Sequence, residues 1–205
     1  MCAITGSFSK HRLEDLYRLN AYRGELSYSL SAFSFDEHNV RLETMMQDRD
    51  KMPEGLIKGL VDGDNKYYIA HSQAPNTNAN NIHPAVYGDA MLWHNGIIKQ
   101  KKLTQGTWDT QWLLEQVLDY GWSSLSRVDG TFACMMYNSG ELFVFRNEIS
   151  PMFYDKDMNF SSTKTEYTTS LPPNRVFKVN LKYKQLTPVA YFETMENPYY
   201  IPENA

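Results

Sequence analysis

Short runs of strand-type alternation, separated by turn residues, set the tightest limit on how this chain folds. Residues 28–35 (YSLSAFSF) alternate with period two and predict a half-buried strand. Residues 2–8, 67–74 (YYIAHSQA) and 89–94 (DAMLWH) predict further strands, the last stopping at the turn dipeptide Asn95-Gly96. The C-terminal half is β-rich: 131–138, 141–146, 152–155, 174–181 and 186–193, with Ser139-Gly140 as a hairpin turn between the first two. Helical spacing is confined to two stretches. Residues 12–20 put Leu13, Leu16 and Tyr17 on one face with Leu19 off it, and residues 110–120 do the same with Leu113, Leu114, Val117 and Leu118. Thr107 to Asp109 can cap the second helix. Residues 36–66 are polar and punctuated by Pro53, Gly55, Gly59, Gly63 and Asp64, and 75–84 (PNTNANNIHP) is loop material. Many strands with two helices predict a layered α+β fold.

With 205 residues and 42% hydrophobic content, the chain can bury one well-packed domain, or at most two small ones. Twenty-four acids against twenty bases give a net charge of −4, which excludes the basic face that nucleic acid requires. Lys99, Lys101 and Lys102 read as a solvated run. No apolar run approaches the ~18 residues of a membrane span, and the N-terminus has neither the basic nor the long apolar region of a signal peptide. Two cysteines make no disulfide framework and suit a reducing compartment. A cytoplasmic protein without nucleic-acid or membrane partners is expected. Cys134 sits in an apolar strand pattern and reads as an inert core thiol. No metal and no cofactor are expected, since His71 and His94 belong to no cluster at ligand spacing.

Several short motifs follow one another in an informative order. Cys2 follows the initiator methionine in MCAITG, and Arg23-Gly24 lies near the end of the first helical stretch. His71-Ser72-Gln73-Ala74-Pro75 ends one strand and His94-Asn95-Gly96-Ile97-Ile98 ends another. Asp109-Thr110 opens a helix, and Val128 to Ala133 (VDGTFA) opens a hairpin closing at Arg146-Asn147. Over about residues 2–180 this series resembles the class II glutamine amidotransferase domain, an N-terminal-nucleophile hydrolase found in glucosamine-6-phosphate synthase, in amidophosphoribosyltransferase and at the front of asparagine synthetase. The resemblance implies a four-layer αββα sandwich. The expected organisation is a single glutaminase-like domain over 2–190, then a tail over 191–205 that is a candidate docking segment.

Removal of Met1 would leave Cys2 with a free α-amino group beside its thiol. The two titrate near ~8 and ~8.5, so the amine can take the thiol proton and return it to departing ammonia. Attack on a carboxamide creates an oxyanion that needs fixed donors. The resemblance assigns these to the Asn95 side chain and the Gly96 N–H; on local sequence alone, Asn-Gly is equally a hairpin turn. It also implies that Asp109 holds the substrate α-ammonium, a role compatible with capping a helix, and that Arg23 supports the nucleophile loop. His94 is expected as a supporting residue. The family arginine that grips the substrate α-carboxylate is replaced by Gln73. Glutamine lacks the charge and the bidentate fork, a loss on the order of 1–2 kcal/mol. Backbone groups of Ala74 and Asn76, or another basic side chain, are the expected compensation, unless the substrate is another amide.

Two further departures are Glu25-Leu26, where the family has Pro-Asp, and Ser161-Ser162-Thr163, where it has Ala-Ser-Glu. No phosphate-cradling loop is present, and the chain stops about where the glutaminase half of asparagine synthetase ends. The expected activity is glutamine hydrolysis through a thioester, feeding ammonia to a partner synthetase in trans. The alternatives are an inactive binding or regulatory subunit and an amidase for a related small amide.

Overall fold

The structure, a computed structural model, describes residues 2–74, 81–99 and 108–195. Strand β1 (Ala3–Ser7) leads into helix α1 (Lys10–Asn20) and a 3-10 turn at Ala21–Arg23. Strands β2 (Ser27–Phe35), β3 (Val40–Asp48), β4 (Lys66–Gln73), β5 (Ala85–Tyr87) and β6 (Ala90–Ile98) follow. Helix α2 (Asp109–Tyr120) and a 3-10 turn at Trp122–Arg127 come next. The chain then runs through β7 (Gly130–Asn138), β8 (Glu141–Arg146), β9 (Phe153–Tyr154), β10 (Phe160–Ser161), β11 (Thr169–Ser170), β12 (Arg175–Asn180) and β13 (Gln185–Tyr191).

The strands form two sheets, in the orders β11-β9-β10-β1-β4-β2-β3 and β13-β12-β8-β7-β6-β5, and the pairs are antiparallel. One core joins Ile4, Phe33, Tyr67 and Ile69 of the first sheet to Trp93, Met135 and Val144 of the second. A second core joins Leu113, Leu114 and Val117 of α2 to Leu92, Phe132 and Phe145. A third joins Leu13 and Tyr17 of α1 to Leu30, Tyr68 and Ala70. The fold is α+β and dominated by its sheets. Among the described residues no helix is long and apolar enough to cross a membrane.

The alternation of residues 28–35 has a different cause from the one expected. Tyr28, Leu30 and Ala32 face α1, while Phe33 and Phe35 face the second sheet. Ser27, Ser29 and Ser31 continue that second face and are fully covered. The strand is buried on both sides, and its serines are interior residues rather than a wet face. The polar stretch 36–66 contains β3, an edge strand with most of its side chains in water. Asp36 starts the hairpin by accepting from the N–H groups of His38 and Asn39 at 2.8 and 2.9 Å. Met52, Ile57 and Leu60 then close over the α1 core.

Residues 95–96 do not end a strand. β6 runs through them to Ile98, paired with β7 along its length. Trp108 is the residue that precedes α2, with no side-chain cap, and Asp109 is the first residue of the helix. The Ser139-Gly140 turn forms as expected, joining Asn138 to Glu141, with both residues at positive φ. β13 carries the sheet past residue 190 to Tyr191, and Phe192 is buried behind it. Of the expected tail 191–205, residues 196–205 lie outside the described residues.

Candidate active site

Cys2 stands immediately before β1, an inner strand of its sheet. The registers Ala3–Ser72 and Ile4–His71, continued by one residue, set Cys2 against Gln73 on the face toward the second sheet. β1 is held on its other side by Ser162, which accepts from Ile4 N at 3.0 Å and returns its own N–H to Ile4 O at 3.1 Å. Ser161 accepts from the Asn20 amide at the end of α1 at 3.0 Å. The string at 161–163 thus anchors the strand carrying Cys2.

The Cys2 carbonyl is clamped from two sides. Arg23 Nε donates to it at 2.9 Å. With its amide assigned in the one orientation that satisfies both neighbours, Asn95 Nδ2 donates to it at 2.7 Å and Asn95 Oδ1 accepts from Arg23 Nη2 at 3.2 Å. Arg23 and Asn95 are both buried. Gly24, at φ +153°, lets the chain after Arg23 lie against the next strand, since an added Cβ would fall 2.3 Å from Ala74 Cα. Leu26 N then donates to Gln73 O at 2.9 Å, and Glu25 pairs with Lys51 at 3.2 Å. Glu25-Leu26 therefore keeps the loop docked on β4.

Burial pushes the Cys2 thiol above its ordinary value. The backbone N–H of Ala74 and the Arg23 guanidinium oppose the rise, while the Asp109 carboxylate adds to it. Burial also drives the Cys134 thiol far up, in the core under α2.

Gly96 has φ +157°, and a Cβ there would lie 1.9 Å from Thr131 O and 2.7 Å from His94 Nε2. Only glycine fits this point of β6. Asp109 lies beside the same strand end. Its Oδ2 accepts from Ile98 N at 3.2 Å and its Oδ1 from Thr110 N at 2.8 Å. The structure thus brings Cys2, Arg23, Ala74, Asn95, Gly96 and Asp109 into one neighbourhood from separate parts of the chain. Gln73 is buried, with Oε1 accepting from Ser27 Oγ at 2.7 Å. Asn76 lies outside the described residues.

His94 points away from Asn95, toward α2. Its Nδ1 is 3.1 Å from Thr110 Oγ1 and its Nε2 is 3.2 Å from Thr131 O. His71 and His83 are buried next to it. Among the described residues no group of three or more His, Cys, Asp or Glu side chains is arranged to hold a metal ion. Sequence reasoning missed Thr110, His83 and Ser162 as parts of this neighbourhood. Thr110 had a signal, its place beside Asp109, whereas His83 had none within its asparagine-rich loop.

By sequence, the chain matches no known family model, and it matches no curated protein. By structure, it matches glutamine phosphoribosylpyrophosphate (PRPP) amidotransferase from B. subtilis in complex with ADP and GMP. The TM-score is 0.63 at 16% identity, over 92% of this chain and 49% of that one. It also matches the structure of the allosteric regulatory enzyme of purine biosynthesis, with TM-score 0.57 at 16% identity over the same shares. The chain spans about half the length of each. At this identity the likeness is one of fold alone: the chain shares the fold of the matched part of these two enzymes.

Proposed function

We propose that this protein hydrolyses the carboxamide of glutamine, with Cys2 as nucleophile once Met1 has been removed. The Cys2 α-amine takes the thiol proton, and sulfur attacks the carboxamide carbon. The tetrahedral oxyanion is met by Asn95 Nδ2–H and the Gly96 N–H. An amide nitrogen carries two hydrogens, and the bond to Cys2 O uses one of them. The C–N bond breaks, ammonia leaves with the proton held by the amine, and water hydrolyses the thioester. Asp109 receives the substrate α-ammonium, and Gln73 with the backbone at Ala74 and Asn76 receives its α-carboxylate. The ammonia goes to a partner synthetase in trans. The same reading makes the layering a four-layer αββα sandwich, places the protein in the cytoplasm and gives the part of the expected tail beyond Phe192 a docking role.

The observation that carries this reading is the double clamp on the Cys2 carbonyl. Two buried side chains from different elements converge on the main chain of a residue that a non-catalytic terminus would leave loose. One observation favours the second reading, an amidase for a different amide or a weak or inactive binding subunit. The position facing Cys2 holds neutral Gln73, whose oxygen is already bonded to Ser27. Intact mass together with ammonia release from glutamine tests the proposal. Active protein that fully retains Met1 contradicts the mechanism, and mature protein without turnover favours the second reading.

A further inference from the structure

Three buried histidines beside the site have no part in the reaction just described. The rings of His71 and His83 stack with centroids 4.0 Å apart, and His83 faces His94 at 6.5 Å. One hydroxyl joins two of them: Thr110 Oγ1 lies 3.1 Å from both His83 Nε2 and His94 Nδ1. The remaining nitrogen of His94 meets Thr131 O at 3.2 Å, and His71 Nε2 meets His94 O at 3.2 Å.

These contacts fix where the hydrogens lie. A carbonyl only accepts, so His94 Nε2 and His71 Nε2 each carry a hydrogen. Burial lowers the pKa of all three imidazoles, which keeps each neutral with one N–H. His94 Nδ1 is therefore bare and accepts from the Thr110 hydroxyl. That hydroxyl has one hydrogen, so toward His83 it can only accept, and His83 donates from Nε2. The competing contact, Thr110 Oγ1 to Asp109 Oδ1, is longer at 3.4 Å and would leave His94 Nδ1 facing a lone pair. His83 Nδ1 is then bare, and it is indeed a buried atom without a partner among the described residues. The chain runs one way, from His83 through Thr110 and His94 to Thr131.

Its two middle members belong to the elements that carry the site. Thr110 follows Asp109 at the start of α2. His94 precedes Asn95 on β6, and the Thr131 carbonyl fills the space a side chain at Gly96 would need. The Asp109 carboxylate is itself held by two backbone N–H groups, at Ile98 and Thr110. Its place therefore depends on how firmly the start of α2 is tied to β6.

We propose that Thr110 is a positioning residue, its hydroxyl pinning the start of α2 to His94 and His83 so that Asp109 is held in place to receive the α-ammonium of the amide substrate. This rests on the glutaminase reading above. Thr110→Val keeps the shape and removes the hydroxyl, whereas Thr110→Ser keeps the hydroxyl. Thr110→Val should raise KM for glutamine about tenfold, with kcat changed by less than about threefold, because His94 and His83 lose their buried partner. Thr110→Ser should restore KM. For glutaramate, which is glutamine without its α-amino group, Thr110→Val should change KM little, since Asp109 has nothing to hold there. Equal losses on both substrates, or equal losses in the Ser and Val variants, overturn the proposal. Heteronuclear NMR of the ring nitrogens at neutral pH gives a readout independent of turnover. His94 should be protonated at Nε2 and bare at Nδ1, with the Nδ1 signal moving in Thr110→Val. A hydrogen on His94 Nδ1 overturns the proposal. The expected tautomers with no ammonia release from the unsubstituted protein would instead overturn the glutaminase reading, and with it the role given to Thr110, leaving only the hydroxyl link.

Discussion

Acidification from pH 7 to pH 5 should destabilise this protein through its buried histidines. Burial holds His71 down to about 3, keeps His83 well below its usual value and lowers His94. In the unfolded chain each returns to ~6.5. A group whose pKa is depressed by folding contributes stability that is complete above the unfolded value and lost as pH falls toward the folded one, because the unfolded chain binds the proton first. For His71 that window runs from ~6.5 down to about 3. Linkage over pH 7 to 5 costs about 2 kcal/mol for His71 alone. His83 and His94 add losses of the same sign. The depressed carboxylates do not interfere: Asp36, held low by the N–H groups of His38 and Asn39, and Glu37 and Glu43, held low by Lys182 and Lys66, lose their contributions below their unfolded values of ~4. Against a typical total of about 5–15 kcal/mol this is a large fraction. Urea unfolding at pH 7, 6 and 5 measures it. A loss of at least about 2 kcal/mol with an unchanged slope is expected. Stability that stays flat or rises toward pH 5 would refute the neutral, buried state of these rings.

Asn95→Ala should lower kcat for glutamine by roughly 10²–10³-fold with little change in KM, since its donor acts after charge develops, while Asp109→Ala should mainly raise KM. Steady-state kinetics showing the reverse pattern would exchange the two roles. Gly96→Ala should destabilise the protein by more than about 2 kcal/mol, because its Cβ has no room beside Thr131 O at a φ that side chains rarely adopt. Urea unfolding of that variant with an unchanged midpoint would mean that β6 does not pass the site as described. Gln73→Arg should lower KM for glutamine by up to about tenfold if its fork reaches the α-carboxylate, and should lower thermal stability in the absence of glutamine, since position 73 is buried. Tighter glutamine binding would be absent if another residue anchors the carboxylate.

The layered α+β class was legible because period-two and 3.6-residue patterns are set by which faces are covered. The same logic fails where exposure is unusual. β3 gives no strand signal within the polar stretch 36–66 because an edge strand in water needs no apolar face. β2 reads as half-buried because serine is polar, yet Ser27, Ser29 and Ser31 lie between the sheets. Asn95-Gly96 reads as a turn because local propensity favours one. Gly96 is instead required inside β6 by a carbonyl from another strand, which local sequence cannot reveal. In the site, Cys2, Arg23, Asn95, Gly96 and Asp109 were legible as ordered motifs. The bond between Ser27 and Gln73, and the hydroxyl link from Thr110 to His83 and His94, cross between distant segments and leave no trace in spacing.

The central claim is that Cys2 is the working nucleophile. The most direct measurement is ammonia release from glutamine by three full-length proteins that each begin at residue 2 by mass: the unsubstituted chain, Cys2→Ala and Cys134→Ala. The account predicts turnover in the first, none in Cys2→Ala, and turnover largely intact in Cys134→Ala, whose thiol is sealed in the core under α2. Turnover that survives in Cys2→Ala would contradict it.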